Sequence, residues 1–193
     1  MGSFVGSLSK SLCFQLRRIG LVRKYLNEET TKTLVTSLIL SRLDYCNSLL
    51  AGLNNKYLNR LQVIQNNAAR LITRPKKTDN VTPLLKELHW LPVKERIIFK
   101  ICVMCFKCVN KTAPFYLQEL IFIYKPGRNL RSSNDNTLLV TPIKSYKSYG
   151  ERSFLYLGPF MWNRLPMELR QIRTLYSFKR HLKHFLFLQA YPS

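Results

Sequence analysis

"PVKERIIFKICVMCFKCV", residues 92–109, admits two readings that lead to different proteins. Cys102, Cys105 and Cys108 stand three residues apart, like the start of an iron–sulfur or zinc ligand set. They also lie among Ile97, Ile98, Phe99, Ile101, Val103, Met104, Phe106 and Val109, which leave a helix almost no polar side. Pro92 suits a first helical turn, and the cysteine run holds neither the Gly nor the Pro that a ligand loop needs. On a helix, Cys102 and Cys108 are about 9 Å apart along the axis and ~120° apart around it, so three thiolates cannot converge on one tetrahedral ion. The stretch therefore predicts a deeply packed helix ending near Lys111, its one basic edge formed by Arg96, Lys100, Lys107 and Lys111. Its free cysteines act as small core hydrophobes. No metal and no other cofactor is expected.

Working outward, most of the chain reads as helix. Leu8, Leu12, Leu16 and Ile19 share helical spacing between about Ser7 and Leu26. The stretch from Asn27 to Leu53 opens with Asn27 as a cap and Glu28 and Glu29 in the first turn, where the helix dipole favours anions. Its expected stop is Gly52. "NKYLNRLQVIQNNAARLITRPKK" (55–77) is the clearest amphipathic helix, with Tyr57, Leu61, Ile64, Ala68 and Leu71 inward and Arg60, Asn67, Arg70 and Arg74 in a stripe along the flank. Pro75 ends it. A short helix follows at Pro83 to His89, and another at Pro114 to Tyr124. "KPGRNLRSSNDN" (125–136) is a turn-rich loop, "TLLVTPI" (137–143) a strand that "KSYKSYG" (144–150) could pair with, and "GPFMWNRLP" (158–166) an ordered turn burying Trp162. A last helix, about Thr174 to Leu188, turns Leu175, Phe178, Leu182 and Phe185 inward and Lys179, Arg180, Lys183 and His184 outward, with Phe187 left as an exposed aromatic. The expected fold is mainly α, a helical bundle followed by a smaller α+β C-terminal part with one short β-hairpin.

Charge is the compositional outlier. Against 31 Lys and Arg stand 10 Asp and Glu, a net +21. Residues 1–96 carry 16 basic and 6 acidic groups and residues 97–193 carry 15 and 4, so the folded body itself is cationic. A polyanion neutralises such self-repulsion, which makes nucleic acid the leading partner and an anionic membrane surface the competitor. No stretch reaches the ~18 consecutive apolar residues of a membrane span, and the N-terminus has no signal-peptide pattern. With an odd cysteine count, this points to an intracellular chain with reduced thiols.

Catalytic patterns are missing. His181 and His184 sit in a Lys- and Arg-rich helix with no carboxylate near them, no serine stands in a nucleophile elbow, and no phosphate loop occurs. Neither an enzyme nor a small-molecule substrate is expected.

"SRLDYCNSLLAGL" (41–53), "LNRLQVIQNNAARLITR" (58–74), "TPLLKELHWLPVKERI" (82–97), "APFYLQEL" (113–120), "RNLRSS" (128–133), "YGERSF" (149–154), "WNRLP" (162–166) and "SFKRHLKHFLF" (177–187) occur in this order. Together they resemble the C-terminal region of reverse transcriptases from LINE-type non-LTR retrotransposons, of the jockey and chicken-repeat style, over nearly the whole chain. The resemblance implies a thumb-like helical segment at 1–75, central helices at 76–125 and a C-terminal extension at 126–193, not independent domains. It also implies nuclear residence and the polymerase core of a parent element as a possible partner. The family's Tyr-x-Asp-Asp motif is absent, Asp44-Tyr45 being a different pattern, so the chain looks like a fragment that cannot polymerise DNA alone. "NNKY" (54–57) replaces an expected Gly-Leu-Pro-type turn, and the cysteine trio replaces a plain aliphatic run.

The candidate contacts to nucleic acid are cations. First comes the stripe of Arg60, Arg70 and Arg74 continued by Lys76 and Lys77, which could equally be a solubilising face. Arg128 and Arg131 in the turn-rich loop could reach phosphates or cap helices. Lys144 and Lys147 alternate with Tyr146 and Tyr149 as a stacking platform would, or as a protected edge strand would. Arg180 and Lys183, with His184, complete the set. The expected partner is RNA or an RNA–DNA duplex in preference to plain DNA. The rival expectations are a module docking the polymerase body and a translated relic without selected function.

Overall fold

The computed structural model describes residues 2–76, 79–124, 137–141 and 152–192. The chain is mainly helical and forms two compact units, one of residues 1–97 with 187–193 and the other of residues 98–186.

In the first unit, α1 (Gly2–Val22) packs chiefly on α4 (Asn55–Thr73), after α2 (Glu28–Val35) and α3 (Ser41–Asp44). Val5, Leu12 and Ile19 bury one side of α1, while Leu61, Ile64, Ala68, Ala69 and Ile72 bury one side of α4. Gly2 lies against Tyr57 and Gly20 against Leu71, so the two helices run parallel, start to start and end to end. A Cβ at Gly2 would come within 2.6 Å of the Tyr57 hydroxyl, so a larger residue there would displace the tip of that side chain.

The Asn27 cap forms as expected, its Oδ1 accepting from the Thr30 N–H at 2.8 Å. The helix it opens does not run to Gly52. Hydroxyls of Thr31, Thr33, Ser37 and Ser41 each donate to the carbonyl four residues back, a habit that loosens the regular ladder, and a π-helical turn occupies Thr36–Leu40. The chain leaves the helix after Asp44, with Tyr45 extended and Cys46 left-handed at φ 53°. Gly52 instead follows a 3₁₀ turn at Asn47–Leu50, at φ 70°. The cause is tertiary: Asp44 Oδ2 pairs with Arg96 Nη1 at 2.6 Å, which anchors the helix end.

Beyond α4, α5 (Val81–Glu87) is capped by Asn80, whose Oδ1 accepts from Thr82 N–H at 3.0 Å, and α6 (Val93–Val109) follows Pro92. Two glutamines of α4 hold that entry. Gln62 Oε1 accepts from the Val93 N–H, a donor that a helix start leaves open, and the buried Gln65 donates to the Leu91 carbonyl, each at 2.8 Å. Trp90 is buried, and its carbonyl accepts from the Tyr191 hydroxyl at 2.9 Å. Phe187, expected to be exposed, is half-buried, stacked on His89 (5.9 Å) and edge-on to Tyr191 (4.9 Å). Apolar area takes an aromatic out of water wherever a neighbour is offered.

In the second unit the cysteine run is core. Cys102 and Cys105 are 0 % exposed and Cys108 6 %. α7 (Phe115–Gln118) is one turn, shorter than the expected helix to Tyr124. α8 (Phe154–Trp162) replaces the turn expected at residues 158–166; Pro159 and Gly158 lie within it, and an added Cβ at Gly158 would lie 3.0 Å from the Cys105 sulfur, a tight contact that the neighbour must yield to. Trp162 is fully buried and donates to the Thr137 carbonyl at 2.7 Å. α9 (Met167–Arg170) leads to α10 (Leu175–Ala190), where Phe178 stacks on Phe106 at 4.5 Å.

The expected β-hairpin is not found among the described residues. Its second arm, 144–150, lies outside them, and Leu139 pairs instead in an isolated antiparallel bridge with Ile123. Asn163 holds the segment by both amide groups, accepting from the Leu139 N–H at 2.9 Å and donating to its carbonyl at 2.8 Å.

Candidate nucleic-acid interface

The stripe expected along one helix flank divides into two kinds of cation. Arg60 is exposed on α4. Arg70 is half-buried, and its Nη2 donates to the Asp79 carbonyl at 3.0 Å. Arg74 is not on the helix face at all. It is the exposed cap residue, left-handed at φ 49° ahead of Pro75, and its Nη2 donates to the Arg23 carbonyl at 2.7 Å. Lys76 is exposed, with its backbone N–H held by Asp79 Oδ2 at 2.8 Å. Lys77 lies outside the described residues, as do Arg128, Arg131, Lys144 and Lys147.

Arg23 is the anchor of this corner. It sits in a 3₁₀ turn at Arg23–Tyr25 and is buried. Nε donates to the Leu71 carbonyl (2.8 Å), Nη2 to Ile72 (2.8 Å) and Nη1 to Leu26 (2.7 Å). Carbonyls at a helix C-terminus have no intrahelical donors and carry partial negative charge, so a guanidinium fork fits them. Burial, and then the positive charge of Arg74, hold the Arg23 guanidinium below its ordinary pKa, while Glu28 acts the other way. The end of α4 thus collects arginines to close a helix.

The outer side of α10 differs. Lys179, Arg180, Lys183 and His184 are all exposed, as the helical periodicity predicts, opposite the buried Phe178, Leu182 and Leu186. His181 is exposed too and faces its own helix, Nδ1 lying 2.8 Å from the Ser177 carbonyl.

Burial raises the Cys102 thiol to about 12 and raises Cys108; Cys105 is pushed well above its usual value by burial first and then by its two neighbours. Among the described residues no three His, Cys, Asp or Glu side chains gather as a metal site. No described helix is long and apolar enough to cross a membrane. No protein-family model, curated protein or solved structure matches this chain.

Proposed function

We propose that this chain is a non-catalytic nucleic-acid-binding module that holds template RNA or an RNA–DNA duplex by its phosphates, as the C-terminal region of a retrotransposon reverse transcriptase would, in the nucleus. The observation that carries the reading is the outward row of Lys179, Arg180 and Lys183 in a chain of net +21. Cations on an exposed helix face are placed to meet phosphate, and such contacts tolerate any sequence. Arg60, Arg74 and Lys76 are exposed on the first unit and serve the same purpose there, Arg74 while also bonding a carbonyl, as the half-buried Arg70 does.

Fluorescence anisotropy of the purified chain against an RNA hairpin, an RNA–DNA duplex and a DNA duplex, over a salt series, tests it. A log–log salt slope of about −4 or steeper is expected, with the two RNA-containing ligands preferred. Absence of binding at low salt overturns the reading. The competing reading, docking of a polymerase body, is favoured by Leu38, Tyr45 and Leu49, which are 39 %, 74 % and 63 % exposed within one short stretch of the first unit. Recovery of a stoichiometric complex with such a body, insensitive to salt, would favour it.

A further inference from the structure

We infer that the outer face of α1 and the turn after it form a binding site for single-stranded nucleic acid, with unpaired bases stacking on Phe14 and Tyr25. This rests on the nucleic-acid reading above and adds a site and a ligand class to it. Val5, Leu12 and Ile19 bury the inner side of α1, which leaves Phe4 48 %, Phe14 58 %, Leu21 76 % and Val22 45 % exposed on the helix, with Tyr25 77 % exposed in the turn after it. A helix paying no partner for two aromatics and a leucine needs an explanation beyond packing. At about 100° per residue, Leu21 falls about 20° from Phe14; Lys10 and Arg17 flank that row by roughly 40–60° on one side and Arg18 by roughly 40° on the other.

Both rings are already set against cations. The Arg18 guanidinium carbon lies 5.7 Å from the Phe14 ring centre, and the Lys24 ammonium lies 4.8 Å from the Tyr25 ring centre. A cation on one face of an exposed ring leaves the other face for a base and stands beside that base's phosphate. Phe14 and Tyr25 are about 16 Å apart by helical rise, room for a few nucleotides of extended strand between them. Charge completes the match: residues 1–27 carry five cations (Lys10, Arg17, Arg18, Arg23, Lys24) and no Asp or Glu, and four of the five are exposed. A polyanion with stackable faces is the complement of that surface. A duplex presents the polyanion but keeps its bases stacked inside. An anionic bilayer would engage the whole exposed apolar arc, which Phe4 and Val22 widen to about 100° around Arg18. The strand is favoured by the ring–cation pairs at Phe14 and Tyr25, and vesicle binding is an arm of the test.

The test uses the full chain and three fluorescent ligands: a uridine oligomer of about 12 nucleotides, an abasic strand of the same length and charge, and an RNA–DNA duplex. The wild type is expected to bind the uridine strand more tightly than the abasic one. Phe14→Ala with Tyr25→Ala should lower the uridine affinity roughly 10- to 100-fold and leave duplex and abasic affinities within about twofold. Phe14→Trp supplies a readout independent of affinity. Trp90 and Trp162 are buried, so an indole at position 14 emits as the exposed one, and uridine but not the abasic strand should quench it. Equal loss on all three ligands, an unchanged uridine affinity in the double variant, or ring-dependent binding to phosphatidylserine vesicles in place of the strand overturns the site while duplex binding stands. Failure of every nucleic acid to bind the wild type overturns the underlying reading as well.

Discussion

The corner where α4 ends and the outer face of α10 carry the same charge and use it in opposite ways. At the corner, Arg23, Arg70 and Arg74 spend their guanidinium groups on the carbonyls of Leu71, Ile72, Leu26, Asp79 and Arg23 itself. On α10, Lys179, Arg180 and Lys183 stand exposed above a buried row of Phe178, Leu182 and Leu186. Net charge is therefore a poor count of binding groups: the buried Arg23 is withdrawn from any ligand, and the exposed cations of α10 are not. The two regions should respond to mutation in separable ways.

The largest effect is expected at Arg23. Arg23→Ala leaves three carbonyls without their charged donor and should lower stability by about 2–4 kcal/mol, read as a shift in the urea midpoint. A midpoint near wild type would make the corner a binding surface after all. Arg74→Ala, which removes a single bond of this kind, should cost about 1–2 kcal/mol by the same measurement.

Behind α10 the interior is apolar, so Cys105→Ser should cost about 1–3 kcal/mol by burying a hydroxyl where a thiol was tolerated, and Cys105→Ala should cost less than the serine. Thermal melts of the two variants side by side decide between a packing role and a polar one.

An alkaline titration sharpens the contrast between inside and outside. Burial raises Cys102 to about 12 in the folded chain, and raises Tyr191 to about 12 by burial first and then by Glu95, against about 8.5 and 10 for unfolded thiol and phenol. Below those unfolded values both states hold the protons and the groups' contribution is complete. Above them the unfolded chain ionises while the folded chain does not, so stability falls from about pH 8.5 up to about pH 12. Chemical denaturation at a series of pH values should show that fall, with the Cys102→Ala variant losing its share of the part that begins lowest and Cys105 and Cys108 keeping theirs. An unchanged pH dependence in that variant would mean the thiol ionises in the folded chain.

The smallest stability effect belongs to α10. Arg180→Glu with Lys183→Glu should leave the urea midpoint within about 0.5 kcal/mol of wild type while making the salt slope of RNA binding shallower by about 2. A large stability loss would place these cations with those of the corner, and an unchanged slope would remove them from the interface.

Local pattern was a good guide wherever one helix face had to choose between water and core. The cysteine-bearing helix, the Asn27 cap and the outward cations of α10 follow from spacing, because burial and capping act over one or two turns. Other features depend on residues far apart in the chain. The helix from Asn27 ends at Asp44 because Arg96 pairs there, 52 positions later, and Gln62 and Gln65 read as polar surface until Val93 and Leu91 arrive beside them. Arg23 cannot be told from an exposed arginine until the end of α4, 48 and 49 positions on, is brought to it. Leu139 pairs with Ile123 for the same reason: strand pairing is a choice between partners, and a propensity names only the candidates.

Thus the sequence by itself determined a mainly helical, strongly cationic chain with Cys102, Cys105 and Cys108 inside, since composition and periodicity set charge and burial residue by residue. The tertiary structure alone decided which cations close helices, Arg23 above all. A guanidinium's partner is whatever carbonyl or carboxylate the fold delivers within hydrogen-bond reach, and no local spacing encodes that.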